Sequence, residues 1–537
     1  MNILVAEPLA AAGIELLKSQ PGWNVIVSNP KEYAAHLGDA EALLVRSAVK
    51  VTRDVLGKAP KLRVIGRAGV GVDNVDLPAA TEAGVLVMNT PGGNAVSVAE
   101  HTLALMLAMA RSIPQASAST KSGKWEKKKF LGNELRGKTL GIVGLGSIGR
   151  EVLRRARGFE MRIIGSDPYV SSQIAADVGV ELVDLNALYA TADYVTLHVA
   201  LTQETQGMLN DEAFAKMKRG VRIVNCARGE LVDSEALRRA IESGKVGAAA
   251  LDVFQAEPPV TGEPLLAFDQ VIATPHVGGS TEEAQTIVGV RIAEQLAEYL
   301  LHGVALNAVN MPAMSPDQYR AVAPYITLAE RLGNFAAHIA TGNPRAIRLV
   351  YSGKIADQNT HIIRNSGIAG VLSRSVGARA NVVSAMQIAE ERGLAIGESR
   401  EARSAHMDSV RVELETDDGL TSVEGALVLD RPRLMRVDGI ACEATLDGHL
   451  TLMKNQDVPG VIGYIGTVMG KHGVNIANFS LGRRDQPSRP GEPLEAVAVI
   501  ETDCTVPDFV LQELLTNPSV KRARSVEFGA RVGVAGK

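Results

Sequence analysis

Residues 138–168 contain the patterns of a strand, a glycine-rich turn, a helix and a second strand, and this unit limits the fold more than any other part of the sequence. Glycines spaced G-x-G-x-x-G let the chain turn sharply, let its backbone approach a pyrophosphate, and let the helix pack closely on the strand. The free N–H groups at the helix N-terminus favour an anion there. The unit predicts a dinucleotide site whose contacts are Gly144, Gly146, Ser147, Ile148 and Gly149.

The second strand of this unit, MRIIGSD, ends in Asp167, where an acid that binds the ribose is expected. A carboxylate accepts hydrogen bonds from the ribose hydroxyls and repels a 2′-phosphate, so the sequence favours NAD over NADP. An ordinary βα turn with a surface aspartate is the alternative that the motif alone leaves open.

Short apolar runs alternate with helical patterns on both sides of this unit. NILVAE, WNVIVS, ALLVRS, LRVIGRAG and VLVMNTPGG precede it, and DYVTLHV, VRIVNCA, GAAALDVF and QVIATPH follow it. Strands that alternate with helices form parallel sheets covered on both faces. The predicted fold class is α/β, with two Rossmann-like doubly wound domains and a long helix between them over residues 97–120.

The composition changes after the proline-containing stretch NAVNMPAMSPDQ, which is typical of a linker. Residues 317–447 mix helical and strand patterns without a chemical motif, as an α+β domain does. The remaining residues follow the order strand, helix, strand, strand, helix, strand, from HLTLMKNQ to VKRARSVEF. This order predicts a ferredoxin-like βαββαβ domain.

Charge and cysteine content argue against several classes of function. The 537 residues carry a net charge of only −4, which favours neither nucleic acid nor an anionic membrane as a partner. Cys226, Cys442 and Cys504 lack the spacing of disulfides or metal sites, which indicates a reducing compartment and no metal. MNILVAEPLA lacks the features of a signal peptide, and HTLALMLAMA is about half as long as a membrane span. A cytoplasmic protein is expected.

Three ionisable residues, Arg228, Glu257 and His276, follow successive predicted strands after the glycine turn. The carboxyl ends of parallel strands share one edge, so these side chains should converge beside the nicotinamide. A hydride that leaves a 2-hydroxy carbon needs a base for the hydroxyl proton and a cation for the neighbouring carboxylate. His276 is predicted as the base, Glu257 as the acid that holds its ring, and Arg228 as the bidentate carboxylate ligand. Taken singly, each residue also fits a structural role.

Two further residues lie in apolar surroundings. Asp252 is inside the run ALDVF, where a buried acid needs a partner, and the nicotinamide carboxamide is the predicted one. Cys226 is expected to be a small apolar wall and not a nucleophile, because no base is evident beside it.

Four segments, GLGSIGRE, VNCARGELVD, ALDVFQAEPP and PHVGGSTEEAQ, together resemble the D-isomer-specific 2-hydroxyacid dehydrogenases, and GRAGVGVDNVD and NTPGGNAVSVAEHTLAL extend the resemblance. The resemblance implies a substrate-binding domain, residues 1–98 and 282–310, interrupted by an NAD-binding domain, residues 99–281. It implies further cofactor contacts by His198, Thr202, Cys226, Ala227, Arg228, Asp252, His276 and Gly278.

Within this family, the segments are similar to the long members that oxidise 3-phosphoglycerate to 3-phosphohydroxypyruvate in serine synthesis. A substrate with two anionic groups needs cations beyond Arg228. The candidate substrate contacts are Arg46, Arg67, Val70, Gly71, Asn94 and Lys127. A solvated basic loop is the alternative for Lys127. A reductase of 2-oxoglutarate or hydroxypyruvate, and a non-catalytic sensor of NAD or an amino acid, also stay open.

The long members also carry an intervening domain and an ACT domain, to which residues 311–447 and 448–537 are similar. An ACT domain often binds an amino acid between paired copies, and the resemblance implies L-serine as a feedback effector. The implied contacts are Asn455, Asp457, Pro459, Gly460, Asn475 and Ile476. An ACT domain that serves only oligomerisation is the alternative. The resemblance further implies a dimer through the nucleotide domains, extended to a tetramer.

Overall fold

The computed structural model of the chain describes residues 1–312, 314–377, 380–401, 407–487 and 493–528, which form four β-sheets. Residues 529–537, the end of the predicted ACT domain, lie outside the described residues. The first two sheets are entirely parallel, and apolar strands buried on both faces give them their cores. The α/β class predicted from the alternating patterns is confirmed.

The first sheet has five strands in the order β2-β1-β3-β4-β5. Its strands are short apolar runs joined by helices, as the sequence predicts. The elements are β1 (Asn2–Val5), α1 (Ala11–Lys18), β2 (Asn24–Val27), β3 (Ala42–Val45), α2 (Arg53–Gly57), β4 (Val64–Arg67), α3 (Leu77–Glu82) and β5 (Leu86–Met88).

The helix predicted over residues 97–120 is two helices, α4 (Ala95–Arg111) and α5 (Ile113–Lys121), so the prediction of one long helix was wrong. Ser112 between them has a left-handed φ of 49°, and Pro114 in the first turn of α5 has no N–H to continue the first helix. In the described part of the chain no single helix is long and apolar enough to cross a membrane; this pair passes on length and composition but is bent by 63°.

The second sheet has seven parallel strands in the order β12-β11-β10-β9-β6-β7-β8. The order reverses between β6 and β9, which creates the crevice where ligands of such sheets bind. The elements are β6 (Thr139–Val143), α6 (Ser147–Ala156), β7 (Arg162–Ser166), α7 (Ser172–Asp177), β8 (Glu181–Leu182), α8 (Leu185–Thr191), β9 (Tyr194–Leu197), α9 (Asp211–Lys216), β10 (Val221–Asn225), α10 (Ser234–Glu242), β11 (Val246–Leu251) and β12 (Val271–Ala273).

After β12 the chain returns to the first sheet through α11 (Glu282–His302). Val288 and Ile292 of this helix share a buried cluster with Ile3 and Val5. Beyond the helix, the amide of Val309 donates to the carbonyl of Val87 at 2.8 Å. These contacts support the grouping of residues 282–310 with residues 1–98, whose exact boundaries stay a prediction.

The third sheet has six strands in the order β14-β13-β15-β16-β17-β18 and is mixed, because only β13 and β14 pair in parallel. Two long helices pack against it. The elements are α12 (Pro316–Ile339), β13 (Pro344–Ser352), α13 (His361–Val376), α14 (Ala385–Glu391), β14 (Ala395–Arg400), β15 (Ser409–Thr416), β16 (Gly419–Val428), β17 (Arg431–Val437) and β18 (Ile440–Thr445).

The fourth sheet is antiparallel with the order β20-β21-β19-β22, and its elements follow the predicted βαββαβ order. Leu450 and Val499 on its inner face share one buried cluster with Val412 and Val423 of the third sheet. The elements are β19 (His449–Gln456), α15 (Val461–Lys471), β20 (Ile476–Arg483), β21 (Glu495–Thr502), α16 (Asp508–Leu514) and β22 (Val520–Glu527).

Replacement of Gly13 by alanine should destabilise the contact between α1 and α11. A Cβ at position 13 would lie 2.5 Å from the carbonyl oxygen of Gly289, so the two helices would have to move apart, at a cost of about 1–3 kcal/mol. We expect a lower thermal unfolding midpoint, measured by circular dichroism. Gly57→Ala is the control, because a Cβ there meets no atom within 4 Å. Equal midpoints for both variants would contradict this packing.

Candidate active site

The three predicted catalytic residues lie at one edge of the second sheet, in the loops that follow β10, β11 and β12. His276 and Glu257 are in contact, with Nδ1 of the ring 2.7 Å from Oε2 of the carboxylate. A carboxylate can only accept, so Nδ1 carries the proton and Nε2 of the neutral ring has the free lone pair. Both side chains are partly exposed, as a base that meets a substrate must be.

The loop that carries His276 is organised by the buried carboxylate of Asp252, which is 1% exposed. Its oxygens accept from the hydroxyl of Thr274 at 2.6 Å, the amide of Val277 at 2.9 Å and the amide of Gly278 at 2.8 Å, and His101 Nε2 lies 3.3 Å away. Burial alone would raise the pKa of Asp252, but these hydrogen bonds hold it below its ordinary value.

Asp252 therefore has the partners that its sequence context demands, and they are protein groups. A contact with the nicotinamide carboxamide stays a prediction. The backbone of His276 adopts a left-handed φ of 53°, uncommon for a residue with a side chain, and its amide donates to the carbonyl of Asp252 at 2.8 Å. Asp252 thus fixes the direction in which the imidazole projects.

Arg228 is held by the carboxylate of Asp73, which belongs to the loop after β4 of the first sheet. The two residues face each other across the cleft between the first two sheets. Nε and Nη2 of Arg228 lie 3.0 and 2.8 Å from Oδ2 of Asp73, and Nη1 donates to the carbonyl of Ala227 at 2.6 Å. The side chain of the fully buried Asn225 shapes the turn, since it donates to the carbonyl of Arg228 at 2.7 Å and accepts from the amide of Ala227 at 3.0 Å.

Arg67 ends β4 and begins the glycine-rich loop that contains Gly69 and Gly71. Arg228 comes from the second sheet's side and lies beside the same loop. A Cβ on Gly69 would fall 1.5 Å from Nη1 of Arg67, and a Cβ on Gly71 would fall 1.8 Å from Nη2 of Arg228, so a side chain at either position would displace a guanidinium group. Burial, followed by the neighbouring charge of Arg228, lowers the pKa of Arg67 to about 10, and its Nε is buried without a hydrogen-bond partner in the described part of the chain. Two cations therefore face one small space.

The other predicted substrate residues differ in how close they come to this space. Arg46 follows β3, and its guanidinium donates to the carbonyl of Pro8 at 3.4 Å. Val70 accepts from the side chain of Asn89. Asn94 precedes α4, and its Oδ1 is buried with no hydrogen-bond partner among the residues that the structure describes. Lys127 begins an exposed turn and makes no hydrogen bond or ion pair with these groups among the described residues.

The glycine turn has the geometry predicted for a phosphate site. Gly144 has a φ of 92°, and a Cβ there would lie 2.5 Å from the carbonyl oxygen of His198. A Cβ on Gly149 would lie 2.0 Å from the carbonyl oxygen of Gly144, so α6 can approach the turn only because that residue is glycine. A Cβ on Gly146 meets no atom within 4 Å, which leaves the backbone open beside Ser147 and Ile148 at the helix start.

Asp167 is joined to this turn, because its Oδ2 accepts from the amide of Leu145 at 2.8 Å. Each carboxylate oxygen can accept more than one hydrogen bond, so the side chain can hold the turn and still bind ribose hydroxyls. The open backbone at Gly146 and this acid both fit NAD.

The remaining predicted cofactor residues lie near the same edge. Burial raises the pKa of the Cys226 thiol to about 12, which disfavours the reactive thiolate at neutral pH. Burial lowers the pKa of His198 to about 3; its Nε2 is 2.9 Å from the hydroxyl of Thr196, and its Nδ1 has no partner among the described residues. Thr202 is exposed, and its amide donates to Thr205 Oγ1 at 2.8 Å.

The predicted effector residues lie around the start of α15 and the start of β20. Asp457 pairs with Arg483 at 3.2 Å, and Asn475 donates to Asp503 at 2.8 Å. Gly460, after Pro459, has a φ of 92° and caps α15, whereas Asn455 is buried in β19 and Ile476 opens β20. Among the described residues no cluster of three or more His, Cys, Asp or Glu side chains could hold a metal ion.

Sequence reasoning missed Asp73, Asn225, His101, Thr274 and Glu7. Glu7 is buried and accepts from three backbone amides of the loop after β3: those of Arg46, Ala48 and Val49. Asn225 could have been found from the sequence, because a polar residue at the end of an apolar strand indicates a buried group that needs hydrogen-bond partners. The partners of Asp73 and His101 come from distant parts of the chain, so no local pattern could indicate them.

Comparison with known proteins shows which family the chain belongs to. Residues 103–278 match the family model of the D-isomer specific 2-hydroxyacid dehydrogenase NAD binding domain, and residues 321–438 match that of the D-3-phosphoglycerate dehydrogenase intervening domain. D-3-phosphoglycerate dehydrogenase of Methanocaldococcus jannaschii is 44% identical over 523 residues, 97% of this chain and 98% of that protein. The chain belongs to the D-3-phosphoglycerate dehydrogenase family.

Two further relatives support this assignment. D-3-phosphoglycerate dehydrogenase of Archaeoglobus fulgidus is 41% identical over 531 residues, 98% of this chain and all of that protein (100%). A crystal structure of D-lactate dehydrogenase from Aquifex aeolicus, complexed with NAD and lactic acid, has a TM-score of 0.52 and 28% identity over 58% of this chain and 100% of that chain. The predicted family, NAD as cofactor and the dehydrogenase class are confirmed.

The neutral state of His198 should make the stability of the chain depend on pH. The unfolded imidazole takes up a proton below its ordinary pKa of 6.5, whereas the folded one resists until about 3, so stability is lost as pH falls through this window. For this residue the loss amounts to about 2 kcal/mol near pH 5. We expect His198→Gln to lose less stability than the wild type between neutral pH and pH 5, measured by thermal unfolding. Equal losses of stability in His198→Gln and the wild type would refute the assignment of a neutral His198 in the folded chain.

Proposed function

We propose that this chain oxidises 3-phospho-D-glycerate to 3-phosphohydroxypyruvate with NAD as the hydride acceptor. The proposal is carried by one observation: Arg67 and Arg228 adjoin along a single glycine loop, at the edge that also holds the His276–Glu257 pair. The two guanidinium groups match a substrate with both a carboxylate and a phosphate. The names of the relatives in Methanocaldococcus jannaschii and Archaeoglobus fulgidus agree with this substrate.

Each residue then has a defined task. The free lone pair of His276 Nε2 takes the proton of the substrate's 2-hydroxyl group, and Glu257 stabilises the imidazolium that forms. Arg228 binds the carboxylate, which fixes the reacting carbon, and Arg67 binds the phosphate together with Arg46 and, from the exposed basic segment, Lys127. The open backbone at Gly146 and the Asp167 carboxylate would hold NAD, which accepts the hydride when bound.

NADH formation from 3-phosphoglycerate tests the proposal directly. We expect turnover of 3-phosphoglycerate to exceed that of glycerate, lactate and 2-hydroxyglutarate, and His276→Asn to lower kcat by about 100-fold to 10,000-fold because the base is lost. His302→Asn, at an exposed position at the end of α11, is the control.

The same assay separates the alternatives. Efficient reduction of 2-oxoglutarate or hydroxypyruvate without 3-phosphoglycerate oxidation would favour a reductase of the same family. NAD binding without turnover of any 2-hydroxy acid would favour a sensor and would end the proposal.

Arg67→Ala should raise KM for 3-phosphoglycerate much more than KM for glycerate, because only the first carries a phosphate. Loss of a hydrogen bond to a charged group costs about 1.5–3 kcal/mol, or roughly tenfold to 100-fold in KM. Arg53→Ala, which breaks an exposed pair with Glu82, is the charge-matched control. If KM for both substrates rose equally, Arg67 would have no special role at the phosphate.

Regulation by L-serine and assembly into a dimer or tetramer belong to the same proposal. Support for assembly comes from the segment after α4, where Trp125, Leu131 and Ile113 expose 86, 92 and 52% of their surface. Support for serine comes from the βαββαβ fold and the exposed start of α15. The NADH assay with and without L-serine tests regulation, and light scattering tests assembly. A reducing, cytoplasmic setting suits the three cysteines, which are free.

A further inference from the structure

The ion pair between Arg228 and Asp73 crosses the cleft between the first two sheets. Asp73 is part of the loop that follows β4, and Arg228 is part of the loop that follows β10, 155 residues further along the chain. Nε and Nη2 of the guanidinium share one carboxylate oxygen, at 3.0 and 2.8 Å. Arg228 is the less exposed partner, with 28% of its side chain accessible against 60% for Asp73.

The hydrogen bonds already made by Arg228 leave the right number of donors for a substrate. A guanidinium has five N–H groups. Asp73 takes one from Nε at 3.0 Å and forms an ion pair with Nη2 at 2.8 Å, and the carbonyl of Ala227 takes one from Nη1 at 2.6 Å. At least one N–H group on each terminal nitrogen is then left for a substrate. A planar pair of donors of this kind matches one carboxylate bidentately.

The loop that presents Asp73 is fixed on both sides of this residue. Asn74 donates to the carbonyls of Arg46 and Val49 at 2.9 and 2.7 Å, and the amide of Val75 donates to the carbonyl of Val72 at 2.9 Å. Before Asp73, the carbonyl of Gly69 accepts from the amide of Thr90 at 2.9 Å. A carboxylate on an anchored loop can determine the direction of a long arginine side chain, which would otherwise sample many rotamers.

The charge of Asp73 also suits its place. Arg67 and Arg228 repel each other, and the neighbouring Asp73 opposes the effect of Arg228 on Arg67. Removal of Asp73 would therefore leave two like charges in one small space and free the guanidinium of Arg228 to turn away from Arg67. Both effects act on the group that binds the substrate carboxylate.

We propose that Asp73 is a positioning residue: it orients Arg228 so that two of its N–H groups meet the carboxylate of the substrate. This inference rests on the proposed function, in which Arg228 binds that carboxylate. Asp73 itself touches neither the substrate nor the cofactor, so its effect on the reaction passes through Arg228.

Steady-state kinetics of Asp73→Ala, Asp73→Asn, Arg228→Ala and the Asp73→Ala/Arg228→Ala double variant test the inference. We expect Asp73→Ala to lower kcat/KM for 3-phosphoglycerate at least about tenfold, through both a higher KM and a lower kcat. Asp73→Asn should recover part of the loss, because its amide oxygen can still accept from Nε and Nη2. In the Arg228→Ala background, Asp73→Ala should change kcat/KM by less than about twofold.

Two measurements keep a positioning role distinct from a general structural one. The Kd for NAD, measured by fluorescence, and the thermal midpoint should match those of the wild type. Asp54→Ala removes an exposed carboxylate of α2 that pairs with Lys58, and should leave kcat/KM unchanged. Should Asp73→Ala fail to fold, Asp73→Asn carries the test alone, with its loss again absent in the Arg228→Ala background.

Three results would overturn the inference. The first is wild-type kinetics in Asp73→Ala. The second is a lower KM in that variant, which would mean that Asp73 competes with the substrate for Arg228. The third is an equal loss with and without Arg228. A wild-type chain that turns over no 2-hydroxy acid would instead overturn the proposed function, and this inference with it.

Discussion

Parallel pairing of β10, β11 and β12 is the constraint on which the site depends. In parallel strands every carboxyl end faces the same edge, so the loops after these strands meet although their residues are far apart in sequence. Arg228, Glu257 and His276 occupy those three loops. An antiparallel arrangement of the same strands would place the middle loop at the opposite edge and would separate Glu257 from His276.

Strand pairing brings the loops together, and buried polar side chains then fix the conformation of each loop. Asp252 accepts three hydrogen bonds from the His276 loop, and Glu7 accepts three from the loop after β3. A buried acceptor that loses a partner costs about 1–3 kcal/mol, so each such carboxylate selects one loop conformation strongly.

The sequence predicted what depends on local order, and it failed where distant segments meet. The glycine turn, Asp167 and the three strand-end residues each follow from a pattern within a few residues. The partner of Arg228 could not be found in this way, because Asp73 belongs to the loop after β4, 155 residues away in sequence. The break at Ser112 was missed although Pro114, two residues later, signalled it. The roles predicted for Lys127 and for the residues near α15 depend on contacts with a ligand or a second copy of the chain, and no local sequence pattern indicates such contacts.

The second half of the chain is connected to the first by a small, specific contact. The third and fourth sheets share one buried cluster, so they form a continuous packed body. From the third sheet's side, Asn381 donates to the carbonyl of Gly84 at 2.8 Å, and Val383 packs in the cluster that contains Leu86. Gly84 and Leu86 lie at the start of β5, and this strand leads directly to Thr90 and Asn94 in the cleft. The packed body therefore contacts the first sheet at the strand that leads into the substrate side of the cleft, and not at the glycine turn of the second sheet.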